Sequence, residues 1–163
     1  MLNTPTLHRL IACTLLLSVL GACTTTPINT GTLPPRSAPT QLAAFSTTLT
    51  GQNQVPPVPR SLTSATGRVD AVLDKNTRLL RWKLSYRGLT GEAVAAHFHG
   101  PGASGLRAGV AVAIRGPVTS PMEGQITLNP AQAADLLAGQ WYVDIHTLAF
   151  PAGEIRGQMI LRE

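Results

Sequence analysis

From residue 66 onward the chain alternates apolar and polar residues over short runs, the period of strands with one face in a core. The clearest run is Leu79 to Tyr86: Leu80, Trp82, Leu84 and Tyr86 fall on one face, Arg81, Lys83 and Ser85 on the other. Gly67 to Asp74 alternates in the same way, and Asp74-Lys75-Asn76-Thr77 between them is a hairpin turn whose Asp and Asn side chains can cap their own backbone. Leu42 to Thr50 alternates imperfectly and is rich in threonine. Further strands are predicted at 94–99, 109–114, 124–128, 141–146 and 154–161. One helix interrupts them. Asn129 caps it, Pro130 fills the first turn, Gln132 completes a capping box and Gly139 ends it, which sets Leu136 and Leu137 against the sheet. Seven or eight short strands separated by turn residues predict an all-β antiparallel sandwich with one short helix near 130–138; a closed barrel is the second choice.

The N-terminus has a different pattern. His8 and Arg9 precede an apolar run from Leu10 to Leu20. This is shorter than the roughly 20 residues that span a hydrocarbon core, and it fits the apolar region of a signal peptide. Leu20-Gly21-Ala22-Cys23 resembles a bacterial lipobox, which implies removal of residues 1–22 and acylation of Cys23. Two acyl chains on that cysteine would anchor the chain stably. Thr24 follows Cys23 where an Asp would retain a lipoprotein at the inner membrane, so the resemblance implies an outer-membrane address, facing the periplasm or the cell surface. Residues 23–41 are rich in Thr, Pro and Ser without periodicity and read as a flexible tether, leaving 42–163 as one folded domain.

Cysteine and charge narrow the function classes. The only other cysteine, Cys13, lies in the leader, so no thiol remains for catalysis or a disulfide once Cys23 is acylated. The formal net charge of +5 falls to +4 when Arg9 leaves with the leader. The basic residues are scattered apart from Arg78, Arg81, Lys83 and Arg87, and aromatics make up 4% of the chain. Together with the extracytoplasmic address this excludes nucleic acid and leaves the membrane anchor and a protein or glycan as partners. No Gly-x-Ser-x-Gly frame is present, and the glycine-rich stretch Gly100 to Gly109 lacks the Lys-Ser/Thr and helix that complete a phosphate loop. Val55-Pro56-Pro57-Val58-Pro59 reads as a rigid edge or crossover segment.

Candidate chemistry concentrates in two strand-like frames. His97-Phe98-His99 places two imidazoles on one side of a strand, and Asp144-Ile145-His146 places a carboxylate and a third imidazole on one side of another. Pro151-Ala152-Gly153-Glu154-Ile155-Arg156-Gly157-Gln158 follows closely. Two readings stand side by side. In the preferred one the histidines belong to a buried polar network in which their ring N–H groups donate to carbonyls or to the Glu154 carboxylate and Arg156 pairs with Asp144 or Glu154. In the alternative, His97, His99 and His146 bind copper or zinc, with Asp144 or Glu154 as a carboxylate ligand or supporting partner.

These residues resemble the CHRD (chordin-type) domain over about 43–161. The landmarks are Leu49-Thr50-Gly51-Gln52-Asn53-Gln54-Val55-Pro56-Pro57, Ala65-Thr66-Gly67, Ala95-Ala96-His97-Phe98-His99-Gly100-Pro101, Leu136 to Val143, and Ile145-His146-Thr147 with the Gly153-Glu154 segment. The resemblance implies a β-sandwich of Greek-key, superoxide-dismutase-like or immunoglobulin-like type, without an established enzyme activity. Gln54 departs from the glutamate usual before Val-Pro-Pro, Asp144 from the usual asparagine, and Phe150-Pro151 from the usual Asn-Pro. His97-Phe98-His99 also resembles the His-Val-His strand of Cu/Zn superoxide dismutases, although the other ligands of that site have no counterpart motif. The expectation is therefore a non-enzymatic, lipid-anchored module that binds a ligand or supports structure. A copper/zinc protein with dismutase-like chemistry and a surface adhesion or matrix module are the alternatives.

Overall fold

The structure is a computed structural model that describes residues 41–162; the expected leader, Cys23 and the tether up to residue 40 lie outside the described residues. The strands are β1 (Leu42–Thr50), β2 (Thr66–Asp74), β3 (Leu79–Arg87), β4 (Ala93–His99), β5 (Val110–Ala113), β6 (Met122–Thr127), β7 (Tyr142–Thr147), β8 (Ile155–Gln158) and β9 (Ile160–Arg162). The helix α1 (Pro130–Leu137) lies between β6 and β7, and a 3-10 turn at Gly51–Asn53 follows β1. All pairings are antiparallel, in the order β5-β4-β7-β8-β1-β2-β3-β6, with β9 also on β1. Among the described residues the fold is all-β with one short α-helix.

This sheet curls until its two halves face each other. Phe98 of β4 and Trp82 of β3 have four strands between them in sheet order, yet their ring centroids are 6.0 Å apart across the interior. Trp141 meets Phe98 at the same distance. Alternate residues supply the core: Phe45 and Leu49 from β1, Val69 and Leu73 from β2, Leu80, Trp82 and Leu84 from β3, Val143 and Ile145 from β7. Burial on β2 and β3 is strictly alternating, with the other face wet.

Local signals work as the chain predicts. Asp74 Oδ1 accepts from the backbone N–H groups of Asn76 and Thr77 and closes the first hairpin. Asn129 and Gln132 form the reciprocal capping box. Gly139, at φ +71°, ends α1 with N–H bonds to Leu136 O and, from Gln140, to Asp135 O. Two expectations change. Leu137 is on the exposed side, because the residue sharing the buried face with Leu136 lies three positions earlier, at Ala133. The strand predicted over 154–161 divides at Met159, which turns its side chain into the core while its N–H bonds Trp141 O; β8 then pairs with β7 and β9 with β1.

Close approach of backbone limits what β8 can carry. A Cβ on Gly157 would lie 2.5 Å from Thr47 Oγ1 and 2.6 Å from Thr48 O, whereas one on Gly91 would meet nothing within 4 Å. Gly157→Ala is expected to destabilise the fold by about 1–3 kcal/mol, and Gly91→Ala to stay within about 0.5 kcal/mol of wild type, as read from urea unfolding midpoints.

Candidate metal centre

Strands β4, β7 and β8 are neighbours, and their outward-pointing residues make one continuous polar face. His97 sits opposite Asp144, His99 opposite Tyr142, Ala95 opposite His146, Asp144 opposite Arg156 and Tyr142 opposite Gln158. An outer sheet face of this composition is ordinarily wet. Here Tyr142, Asp144, His99 and Arg156 are buried. The glycine-rich connection after β4 and the turn after β7 lie over them. Ala108 O accepts from His99 Nδ1 at 2.9 Å, Leu106 O accepts from Arg156 Nη2 at 2.6 Å, and Pro151 O accepts from His146 Nδ1 at 3.0 Å. Tyr142 clasps the same connection: its hydroxyl accepts from Ala108 N and donates to Ala108 O.

Those carbonyls decide the tautomers. A carbonyl oxygen only accepts, so Nδ1 of both His99 and His146 must carry a proton. In the neutral ring this leaves Nε2 as a lone pair, and both Nε2 atoms point inward at the same oxygen. Asp144 Oδ1 lies 3.0 Å from His99 Nε2 and 2.9 Å from His146 Nε2. His97 Nδ1 completes the group, 3.1 Å from His146 Nε2 and 3.9 Å from Asp144 Oδ1. One ligand atom from each of the four residues lies within 4.8 Å of the others. Tetrahedral donors on bonds of about 2.0–2.1 Å stand about 3.3 Å apart, within the range of these separations. The four residues could therefore hold a metal.

Electrostatics follow from the same contacts. The Asp144 hydrogen bond lifts His146 above its ordinary value against the effect of burial. Burial, and then the neighbouring His146 charge, lower His97. Burial pushes the Asp144 carboxyl up, but the hydrogen bonds from His146 and His99 outweigh it and hold the group below its ordinary value. With both Nδ1 protons committed to carbonyls, donation from Nε2 requires a second proton on the ring, and without it the carboxylate would face two lone pairs that repel it. The centre needs positive charge in its middle, from extra protons on the imidazoles or from a bound cation.

The structure thus brings His97, His99, His146 and Asp144 together, and separates Glu154 and Arg156 from the roles expected of them. Glu154 accepts from Thr63 Oγ1 (2.6 Å), Thr147 Oγ1 (2.7 Å), Thr90 Oγ1 (2.8 Å) and Thr90 N (3.0 Å), with no histidine or arginine among its partners. Thr147 sits on the core-facing side of β7, so the carboxylate is drawn away from the imidazoles. Arg156 makes no ion pair with Asp144 or Glu154. Its guanidinium carbon lies 3.4 Å from the Tyr142 ring centroid, and burial lowers its pKa. Tyr142, unmarked in the sequence reading, also stacks on His99 with centroids 4.6 Å apart and planes 4° from parallel. Its only sequence signal is its place two residues before Asp144, on the same strand face.

The family model described as the CHRD domain matches residues 45–159, and the chain belongs to that family. No curated protein and no solved structure matches the chain.

The threonine cradle has a pH signature. Burial raises the Glu154 carboxyl, but its hydroxyl and N–H donors outweigh this and hold it below its ordinary 4.5. The unfolded chain therefore binds more protons in acid, so this stabilisation is full above about pH 4.5 and fades as pH falls through the lower folded value. Glu154→Gln is expected to unfold at lower urea than wild type at pH 7, with the gap narrowing as pH falls below 4.5. A gap that widens in acid would contradict the assignment.

Proposed function

We propose that this chain is a CHRD module of the bacterial cell envelope, anchored through acylated Cys23, that holds one divalent transition metal on His97 Nδ1, His99 Nε2, His146 Nε2 and Asp144 Oδ1. The observation that supports it best is the pair of backbone carbonyls, Ala108 O and Pro151 O, that fix the outer nitrogens of His99 and His146 as donors. Metal-binding histidines are typically oriented in this way, with the far nitrogen donating to a carbonyl or carboxylate. Three nitrogens and one oxygen suit zinc or copper(II).

The role is binding rather than catalysis. Four protein ligands fill a tetrahedral shell and leave no position for a reacting water, the arrangement of metal sites that do not turn over substrate. Burial lowers the proton affinity of His97 and the Asp144 contact raises that of His146, so a metal would compete with protons chiefly at His146.

Calorimetric titration of the purified, metal-stripped protein in detergent micelles separates this from a protonated polar network. Zinc(II) or copper(II) is expected to bind at one equivalent, with more protons released at pH 6 than at pH 8. The His97→Ala/His99→Ala variant should bind about 100-fold more weakly or worse. Equal binding by the folded variant, or no saturable binding by wild type, would sink the metal reading. Mass spectrometry of the mature N-terminus tests the anchor separately: acylated Cys23 is expected, and an uncleaved chain or an unmodified terminus would refute it.

A further inference from the structure

A cavity of about 190 Å³ is lined on one side by His99, His146 and Asp144 and on the other by Gln54, Arg107 and Arg156. Two of these carry unmet hydrogen-bonding capacity. Arg156 is 3% exposed, with one guanidinium face on the Tyr142 ring, yet among the described residues only one of its N–H groups has an acceptor, Leu106 O. Among the described residues no carboxylate comes within 4.0 Å of its guanidinium. Buried cations are ordinarily paired, because an isolated charge loses its hydration without compensation. Gln54 is 5% exposed, and its Nε2 is buried with no acceptor. That nitrogen packs against Gly153, where a Cβ would lie 2.3 Å from it. Arg107, whose one hydrogen bond is a long contact to Ala152 O, adds a second cation to the lining.

The cavity's one carboxylate, Asp144, already has Oδ1 engaged by His99 and His146. Donors from Arg156 and Gln54 therefore face a partly open space in which, Leu106 O aside, no acceptor among the described residues reaches them within hydrogen-bond distance. We propose that this cavity binds a carboxylate group, with the Arg156 guanidinium and the Gln54 amide as its donors. A guanidinium fork matches a carboxylate edge to edge. The cavity's size and the neighbouring Asp144 charge favour a small monoanion over a phosphate dianion. Gln54 and Arg156 also line a wider groove of about 840 Å³ with Ser104, Arg68 and Arg162. The carboxylate could thus be a free small acid or the side group of an acidic glycan lying in that groove. Its two donors, on Arg156 and Gln54, are not ligand atoms of the proposed metal, although His99, His146 and Asp144 form one wall of the same cavity.

The test follows the Gln54 side-chain amide and Arg156 Nε–H signals by 1H–15N NMR on the purified protein, metal-free and zinc-loaded. Sodium acetate is expected to shift both saturably, with a Kd of roughly millimolar order, and sodium chloride at matched ionic strength to leave them in place. An oligogalacturonate that binds at least about tenfold more tightly per carboxylate, and also shifts Ser104 and Gly105, identifies the polymer as the source. Binding equal to acetate identifies the free acid. Gln54→Glu, which puts a competing carboxylate into the cavity, is expected to weaken acetate about tenfold or more. Gln54→Leu checks the same donor without adding charge. Absence of a saturable shift in wild type, an equal response to chloride, or unchanged affinity in both folded variants overturns the proposal. Acetate binding by metal-free protein that takes up no zinc would leave this site standing and remove only the metal.

Discussion

Strand β7 is buried on both faces, and the organisation of this domain follows from that. Its inner residues, Val143 and Ile145, belong to the core. Its outer residues, Tyr142, Asp144 and His146, are polar but covered, so each of their donors and acceptors needs a partner within the protein or a ligand. Elsewhere the same sheet keeps a simple division between apolar inside and charged outside, as β2 and β3 do. The curl of the sheet makes the core, and the cover over β4, β7 and β8 makes the site.

The cover is held by backbone rather than by apolar packing. Ala108 O, Leu106 O and Pro151 O each take a donor from a side chain of the face below. Gln158 Nε2 adds bonds to Gly102 O and Gly139 O. Glycine lets the connection come close: a Cβ on Gly100 would lie 2.3 Å from Trp141 Cδ1, and one on Gly102 2.9 Å from Ala108 Cβ. Gly100 thus fits the connection against Trp141 and Gly102 lets it fold against its own Ala108, whereas side chains at Gly105 and Gly109 would meet nothing within 4 Å.

The prediction for Glu154 shows where sequence reading stops. Alternation and turn residues located the strands, the helix caps and the two histidine frames, because these depend on neighbours in the chain. The i, i+2 spacing of His97 with His99 and of Asp144 with His146 placed each pair on one face, and strand adjacency did the rest. Partner choice depends on which side of β7 a residue from a turn enters, and spacing is silent on that. Glu154 lies next to β8 yet bonds Thr63, Thr90 and Thr147 from three separate segments. Threonines scattered over more than eighty residues carry no pattern that would gather them. The burial of Arg156 and Tyr142 was hidden for the same reason, since a polar residue on an outer face reads as exposed until the cover is seen.

The two buried carboxylates, set beside each other, argue for what the centre is built to hold. Both are held below their ordinary values against burial. Glu154 achieves this with hydroxyls and an N–H, all neutral donors that remain donors at any physiological pH. Asp144 instead faces imidazoles whose outer nitrogens are already committed to carbonyls, so its Oδ1 is satisfied only if those rings are charged or a cation stands between them. A fold that needed only a polar joint already contains the neutral solution at Glu154. That it uses another at Asp144, with lone pairs converging at donor separations that suit a tetrahedral ion, favours a cation as the missing partner over a second structural network.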